Sequence, residues 1–213
     1  GLGLAVLQQL TGINTVIYYA PTIFQFSGLH SVGASIAATA GVGTVNVIAT
    51  AVAVVLIDRV GRRPLLLVGV AGMVVSLAVL GAGFAFSGTV QGGSLLGLIT
   101  AVSLMTYIAS FAIGLGPVFW LLISEIYPLT VRGRAMGVTT IANWAANFLI
   151  TVTFLTLVGA IGQAVVFWLY ALVSIIAWFF VFRLVPETKG LTLEEIEEHF
   201  RAGRHPRELK GLP

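Results

Sequence analysis

Six side-chain amides stand inside long apolar runs: Gln8, Gln9, Asn14, Asn46, Asn143 and Asn147. An amide both donates and accepts hydrogen bonds, and an unpaired one in an apolar medium costs a few kcal/mol. Six of them therefore require either a dense interhelical network or a wet cavity. Asn143 and Asn147 are four apart and share a helix face, with Trp144 beside them. Amides suit a neutral polyol, and the indole of Trp120 or Trp144 can stack on the apolar face of a ring. Neither a nucleophile–base pair, a metal-ligand cluster nor a phosphate loop is legible, so we expect a protein that is not an enzyme and needs no cofactor.

The elements that carry these residues are set by composition. Of 213 residues, 58% are hydrophobic and only 9% charged, whereas a soluble domain carries about 25% charge. Lipid is the expected solvent. About 20 apolar residues in a helix cross the hydrocarbon, and charge-free runs of that length recur at 1–27, 33–57, 64–86, 95–123, 135–158 and 164–182, the last helix being expected to reach 185. They do not alternate in polarity as barrel strands would. The expected fold is an all-α membrane bundle of six transmembrane helices over residues 1–185, with a cytoplasmic tail over 186–213.

The charges check that count. All 11 Lys and Arg fall in three places: Arg59, Arg62 and Arg63; Arg132 and Arg134; and Arg183 with the tail, ending at Lys210. The alternate connections, including the one at His30 and the one over 87–93, have none. Lys/Arg bias sets orientation, so both termini are expected on the cytoplasmic side of the plasma (inner) membrane. Basic residues in short loops between apolar runs exclude a nucleic-acid partner. In the tail, Thr192 with Glu195 reads as a capping box opening a short amphipathic helix over 192–202, with Leu193, Ile196 and Phe200 on one face. The stretch from Gly203 onward is expected to be loose.

Two helices are interrupted in corresponding places. The leading helix of the first triplet carries Thr11-Gly12 and then Pro21; that of the second carries Gly114-Leu115-Gly116-Pro117. Proline removes a donor and frees a carbonyl, tolerated in lipid only against protein or a water-filled cavity. Breaks at matching positions of repeated triplets are a pointer to a midplane transport site. Glycine packing explains one break, less readily two. Trp168 and Tyr127, near helix ends, read as interfacial aromatics, and Trp178 as packing or lipid-facing.

Five motifs in order resemble the sugar porters of the major facilitator superfamily. These are Gln8-Gln9-Leu10-Thr11-Gly12-Ile13-Asn14 with Tyr18-Tyr19, Asp58-Arg59-Val60-Gly61-Arg62-Arg63, and Gly116-Pro117-Val118-Phe119-Trp120 followed by Ser124-Glu125 and Arg132-Gly133-Arg134. The last two are Asn143-Trp144-Ala145-Ala146-Asn147 and Pro186-Glu187-Thr188-Lys189-Gly190. The resemblance implies the C-terminal half of the twelve-helix fold, a 3+3 inverted repeat whose partner is a missing N-terminal six-helix half. It implies alternating-access transport of a monosaccharide, hexose or pentose, by uniport or proton symport. Gln8, Gln9, Asn14, Asn46, Trp120, Asn143 and Trp144 would contact the sugar, with Asn147 close by, and Tyr18 and Tyr19 would form an extracellular gate. Asp58, Arg59, Arg62, Arg63, Glu125, Arg132, Arg134 and Glu187 would form a cytoplasmic charge network; the acidic members argue for this, since they contribute little to orientation. No carboxylate lies at mid-depth, so any proton site would belong to the other half. The rival expectation is a stand-alone six-helix membrane protein with a structural or regulatory role.

Overall fold

The computed structural model describes residues 1–29, 31–87 and 93–209; His30, most of the connection over 87–93, and Lys210 lie outside them. The described residues form helices and no strand. In chain order these are α1 (Leu2–Leu10), α2 (Ile13–Tyr18), α3 (Ala20–Phe26), α4 (Val32–Val60), α5 (Arg62–Ala85), α6 (Gly93–Ile113), α7 (Leu115–Ile126), α8 (Arg132–Ile161), α9 (Gln163–Leu184) and α10 (Leu193–Arg201). Five uninterrupted or nearly uninterrupted helices are long and apolar enough to cross a membrane, and Leu2–Tyr18 is a shorter apolar one.

The first and fourth runs, written above as single spans, are broken. Gly12 adopts the left-handed conformation at φ 87°, ending α1 and opening α2. Tyr19 leaves helical geometry before Pro21, which sits in the first turn of α3, where its missing N–H costs nothing. Gly114, at φ −101° and ψ −95°, separates α6 from α7. It lies against Gly69 of α5: a Cβ at Gly69 would come within 2.6 Å of the Ser110 carbonyl oxygen and 2.7 Å of the Gly114 Cα.

Elsewhere the helices outrun their apolar stretches. α4 and α5 are joined by Gly61 alone, and α8 and α9 by Gly162 alone, both at positive φ. Arg62, Arg63, Arg132 and Arg134 are thus in first helical turns rather than in loops. The reason is geometric: a charge-free run measures hydrocarbon thickness, about 30 Å, while a helix of 29 or 30 residues extends about 45 Å at 1.5 Å per residue and carries its charged ends into the interface.

α5 is the central stave. It presents Leu66, Val70, Met73, Leu77 and Leu80, all at most 1% exposed, at alternating spacings of four and three, the stripe that meets neighbouring helices. α9 and α6 both pack against it; α1 packs against α8 and α9, and α4 against α6. Two indoles fasten α9 to α5: Trp168 donates to the Ala78 carbonyl at 3.3 Å and Trp178 to that of Leu67 at 3.2 Å. Trp178 is therefore a packing residue, and Trp168 packs as well.

The capping box at the tail forms as read, with Thr192 N–H 2.7 Å from the Glu195 carboxylate and Glu195 N–H 3.3 Å from the Thr192 hydroxyl. α10 packs on α7, burying Ile196. Between Gly203 and Leu209, the described part of the tail, the chain is not loose as expected: a 3-10 turn at Pro206–Glu208 packs against α9. Leu209 is buried, and a His199 ring nitrogen lies 3.0 Å from the His205 carbonyl oxygen. One apolar side chain supplies an anchor that a composition rich in charge concealed.

Candidate functional site

The two helix breaks, α4 and α8 surround a cavity of about 380 Å³. Gln8, Gln9, Asn14, Asn46, Trp120, Asn143 and Trp144 all line it. Seven of the eight residues expected around a ligand are thus brought together from the first, second, fourth and fifth spans. Ile13, Phe111 and Pro117 add apolar wall, and Thr50, one turn beyond Asn46, adds a hydroxyl that the sequence reading missed; its spacing of four from Asn46 was the available signal.

Network and cavity, posed above as alternatives, are one object. Asn143 Nδ2 donates to Gln8 Oε1 at 2.7 Å and to the Ala5 carbonyl at 2.9 Å. Gln9 Nε2 donates to Asn143 Oδ1 at 3.1 Å, and Gln9 Oε1 accepts from Asn14 Nδ2 at 3.0 Å. Gln8 Nε2 donates to the Leu115 carbonyl at 2.8 Å. Gln8, Gln9 and Asn143 are at most 6% exposed and hold one another in place. The free capacity sits further out: Asn46 is half-buried and makes no hydrogen bond to protein among the described residues, and Asn14 keeps its oxygen. Trp120, 39% exposed, is set by an edge contact on Phe119, ring centroids 4.8 Å apart. This is an interlocked amide floor with a polar rim and two indole faces.

Asn147 departs from the expected grouping. It lines an adjoining pocket of about 410 Å³ with Tyr18, Tyr19, Phe148 and Thr151, and Trp144 is the wall common to both. One turn of helix carries Asn147 about 6 Å past Asn143, beyond the cavity. Its Oδ1 accepts from Thr151 at 3.1 Å. Of the tyrosine pair, Tyr19 packs on Phe154 at 5.0 Å, whereas Tyr18 is 53% exposed.

At the other end the charges cluster around Arg62. Its guanidinium lies 2.9 Å from Glu125 and 3.2 Å from Asp58, and the second Glu125 oxygen accepts from Thr188 at 2.5 Å. Glu187 contributes differently. Its carboxylate accepts the backbone N–H groups of Arg62, Arg63 and Lys189, each at 3.0 Å. A carboxylate at a helix N-terminus satisfies orphan donors and complements the dipole, and α5 has no side-chain cap of its own. A Cβ at Gly61 would lie 2.6 Å from that carboxylate, so Gly61 and Glu187, from separate motifs, fit as a pair. Arg63 donates to the Phe182 carbonyl at 2.9 Å.

Three expected members stay outside the cluster. Arg59 offers its carbonyl to Lys189 at 3.1 Å, and Arg132 donates to the Tyr127 carbonyl at 3.2 Å. The side chains of Arg59 and Arg134 are exposed with no partner among the described residues.

Residues 1–200 match the family model described as "Sugar (and other) transporter". The chain is 43% identical over 197 residues to "D-xylose-proton symporter-like 2" of Arabidopsis thaliana, covering 92% of this chain and 38% of that protein. It is 40% identical over 205 residues to "Major myo-inositol transporter IolT" of Bacillus subtilis (strain 168), covering 96% and 42%. Among solved structures, the inward-open xylose transporter XylE from E. coli superposes with a TM-score of 0.79 at 35% identity, over 93% of this chain and 40% of that one. The chain spans about two fifths of the length of these relatives.

Proposed function

Because the chain belongs to the Sugar (and other) transporter family, we propose that it forms the C-terminal half of a carrier that moves a monosaccharide by alternating access. The observation that carries this reading is the cavity between the two helix breaks, lined by Gln8, Gln9, Asn14, Asn46, Asn143 and two tryptophans. Two halves rocking about a midplane site would expose it to each side in turn. Asn14 and Asn46 take the sugar hydroxyls directly, Gln8 and Asn143 set the floor, and Trp120 and Trp144 cover the ring faces. Tyr18 and Tyr19 close the extracellular side beyond Trp144, and the Arg62–Glu125–Asp58 cluster closes the cytoplasmic side.

Relatives named for xylose and myo-inositol support a small polyol as substrate class, with a pentose or hexose our reading of a cavity of about 380 Å³, while a third relative is named for the disaccharide trehalose. The test is uptake of radiolabelled D-xylose, D-glucose and myo-inositol into vesicles holding the full-length carrier. Saturable uptake whose apparent affinity an Asn46→Ala variant weakens about tenfold supports the reading; no uptake of any of the three sinks it. A protonophore added to the same vesicles separates proton symport, which it collapses, from uniport, which it spares.

A further inference from the structure

Two hydrogen bonds cross between the broken spans, one in each direction. Gln8, on the last turn before the first break, donates to the carbonyl of Leu115, the first residue after the second break, at 2.8 Å. Tyr107, two turns before the second break, donates its hydroxyl to the carbonyl of Thr11 at the first break, at 2.9 Å. All four residues are at most 2% exposed. The Thr11 carbonyl is available because of Gly12: with that residue left-handed, the ladder resumes with Val16 N–H on the Gly12 carbonyl. Thr11 is left without a main-chain donor among the described residues.

A buried donor or acceptor cannot be stripped of its partner cheaply where no water replaces it. Bending either span alone would break a bond at the other's break. Bending both together would keep both bonds. The second break is also backed closely, since Gly114 lies directly on Gly69 of α5.

We propose that Tyr107, outside the sugar cavity, is a positioning residue that with Gln8 ties the two helix breaks so that they bend as one unit during transport. The proposal rests on the carrier reading. It assigns Tyr107 a role in turnover rather than in sugar affinity, and gives Gln8 a second task besides the floor of the cavity.

The experiment uses the full-length carrier in vesicles with D-xylose and D-glucose. Tyr107→Phe removes only the hydroxyl. The expected result is a fall in maximal exchange rate of at least fivefold, with equilibrium sugar affinity within twofold of the parent. A rate reduced less than fivefold, or a loss of affinity in proportion to rate, overturns the proposal. A second measurement needs no Tyr107 variant. Spin labels at Leu2 and Gln25 span the first break, and labels at Leu98 and Leu129 the second. On sugar titration both distances are expected to change with the same midpoint; midpoints differing more than threefold overturn the coupling. Failure of the parent itself to transport any sugar sinks the carrier reading instead, so the two failures are distinct.

Discussion

Asn143 Nδ2 lies 2.7 Å from Gln8 Oε1, so two residues expected to reach for a ligand first satisfy each other. Removing one partner of a buried amide pair leaves the other unpaired, at about 1–3 kcal/mol. Asn143→Ala is therefore expected to lower the melting temperature of the purified carrier as well as its sugar affinity. Asn46→Ala, whose amide has no protein partner among the described residues, is expected to weaken affinity about tenfold, the worth of one hydrogen bond of about 1.4 kcal/mol, with the melt unchanged. Paired thermal melts and binding isotherms would decide; equal melts for both variants would contradict the division of labour.

Gly12→Ala should fail for two separable reasons. At φ 87° a side chain is strained, worth about 1–2 kcal/mol, and its Cβ would meet the Tyr170 ring at 2.6 Å. Thermal stability is expected to fall by about 2–3 kcal/mol. Adding Tyr170→Leu relieves the collision but not the dihedral, so the double variant should recover about half. Full recovery would show that the left-handed turn is unimportant.

The pair Arg62–Glu125 has side chains only 12% and 15% exposed. Breaking a largely buried pair strands a charge; with the remaining solvent screening discounted, Glu125→Gln is expected to cost about 2 kcal/mol. If the cluster closes the cytoplasmic side, the same variant should also raise labelling of a cysteine placed at Ala112 by a membrane-impermeant maleimide added from that side. Unchanged labelling would reduce the cluster to an architectural clamp.

Glu195 is fully exposed, yet the backbone N–H and hydroxyl of Thr192 hold its carboxyl below its usual value. A lowered folded value means the box contributes stability above the unfolded value and loses it as pH falls through the folded one. Proteolysis of the tail at α10 should accordingly accelerate below pH 4.5 in the parent, and already at neutral pH in Thr192→Ala. A flat profile in the parent would remove the box from the account of how α10 docks.

Much of this molecule was legible without coordinates, because lipid imposes a short list of solutions. Apolar runs of hydrocarbon length, arginines on alternate connections, and Gly-Pro interruptions in the leading helix of each triplet gave the spans, their expected orientation and the location of the cavity. The capping box at Thr192 and Glu195 was equally local, since both its bonds close within three residues. The helix ends were less legible: Arg62 and Arg132 lie inside helices because polarity marks the edge of the hydrocarbon, not the end of hydrogen bonding.

What the sequence alone determined is therefore which residue types face apolar surroundings and must find partners, together with the breaks that bring them close. Only the tertiary structure decided which partners they find. Whether an amide points at a ligand or at its neighbour depends on how each helix is rotated and how far along its axis the residue lies: Asn147 shares a face with Asn143 but sits about 6 Å further along, which carries it into a different pocket. The two bonds exchanged between the breaks, Gln8 to Leu115 and Tyr107 to Thr11, join positions about a hundred residues apart. A pairing between a side chain and a backbone carbonyl leaves no mark in residue type at the accepting end, so only the folded chain reveals it.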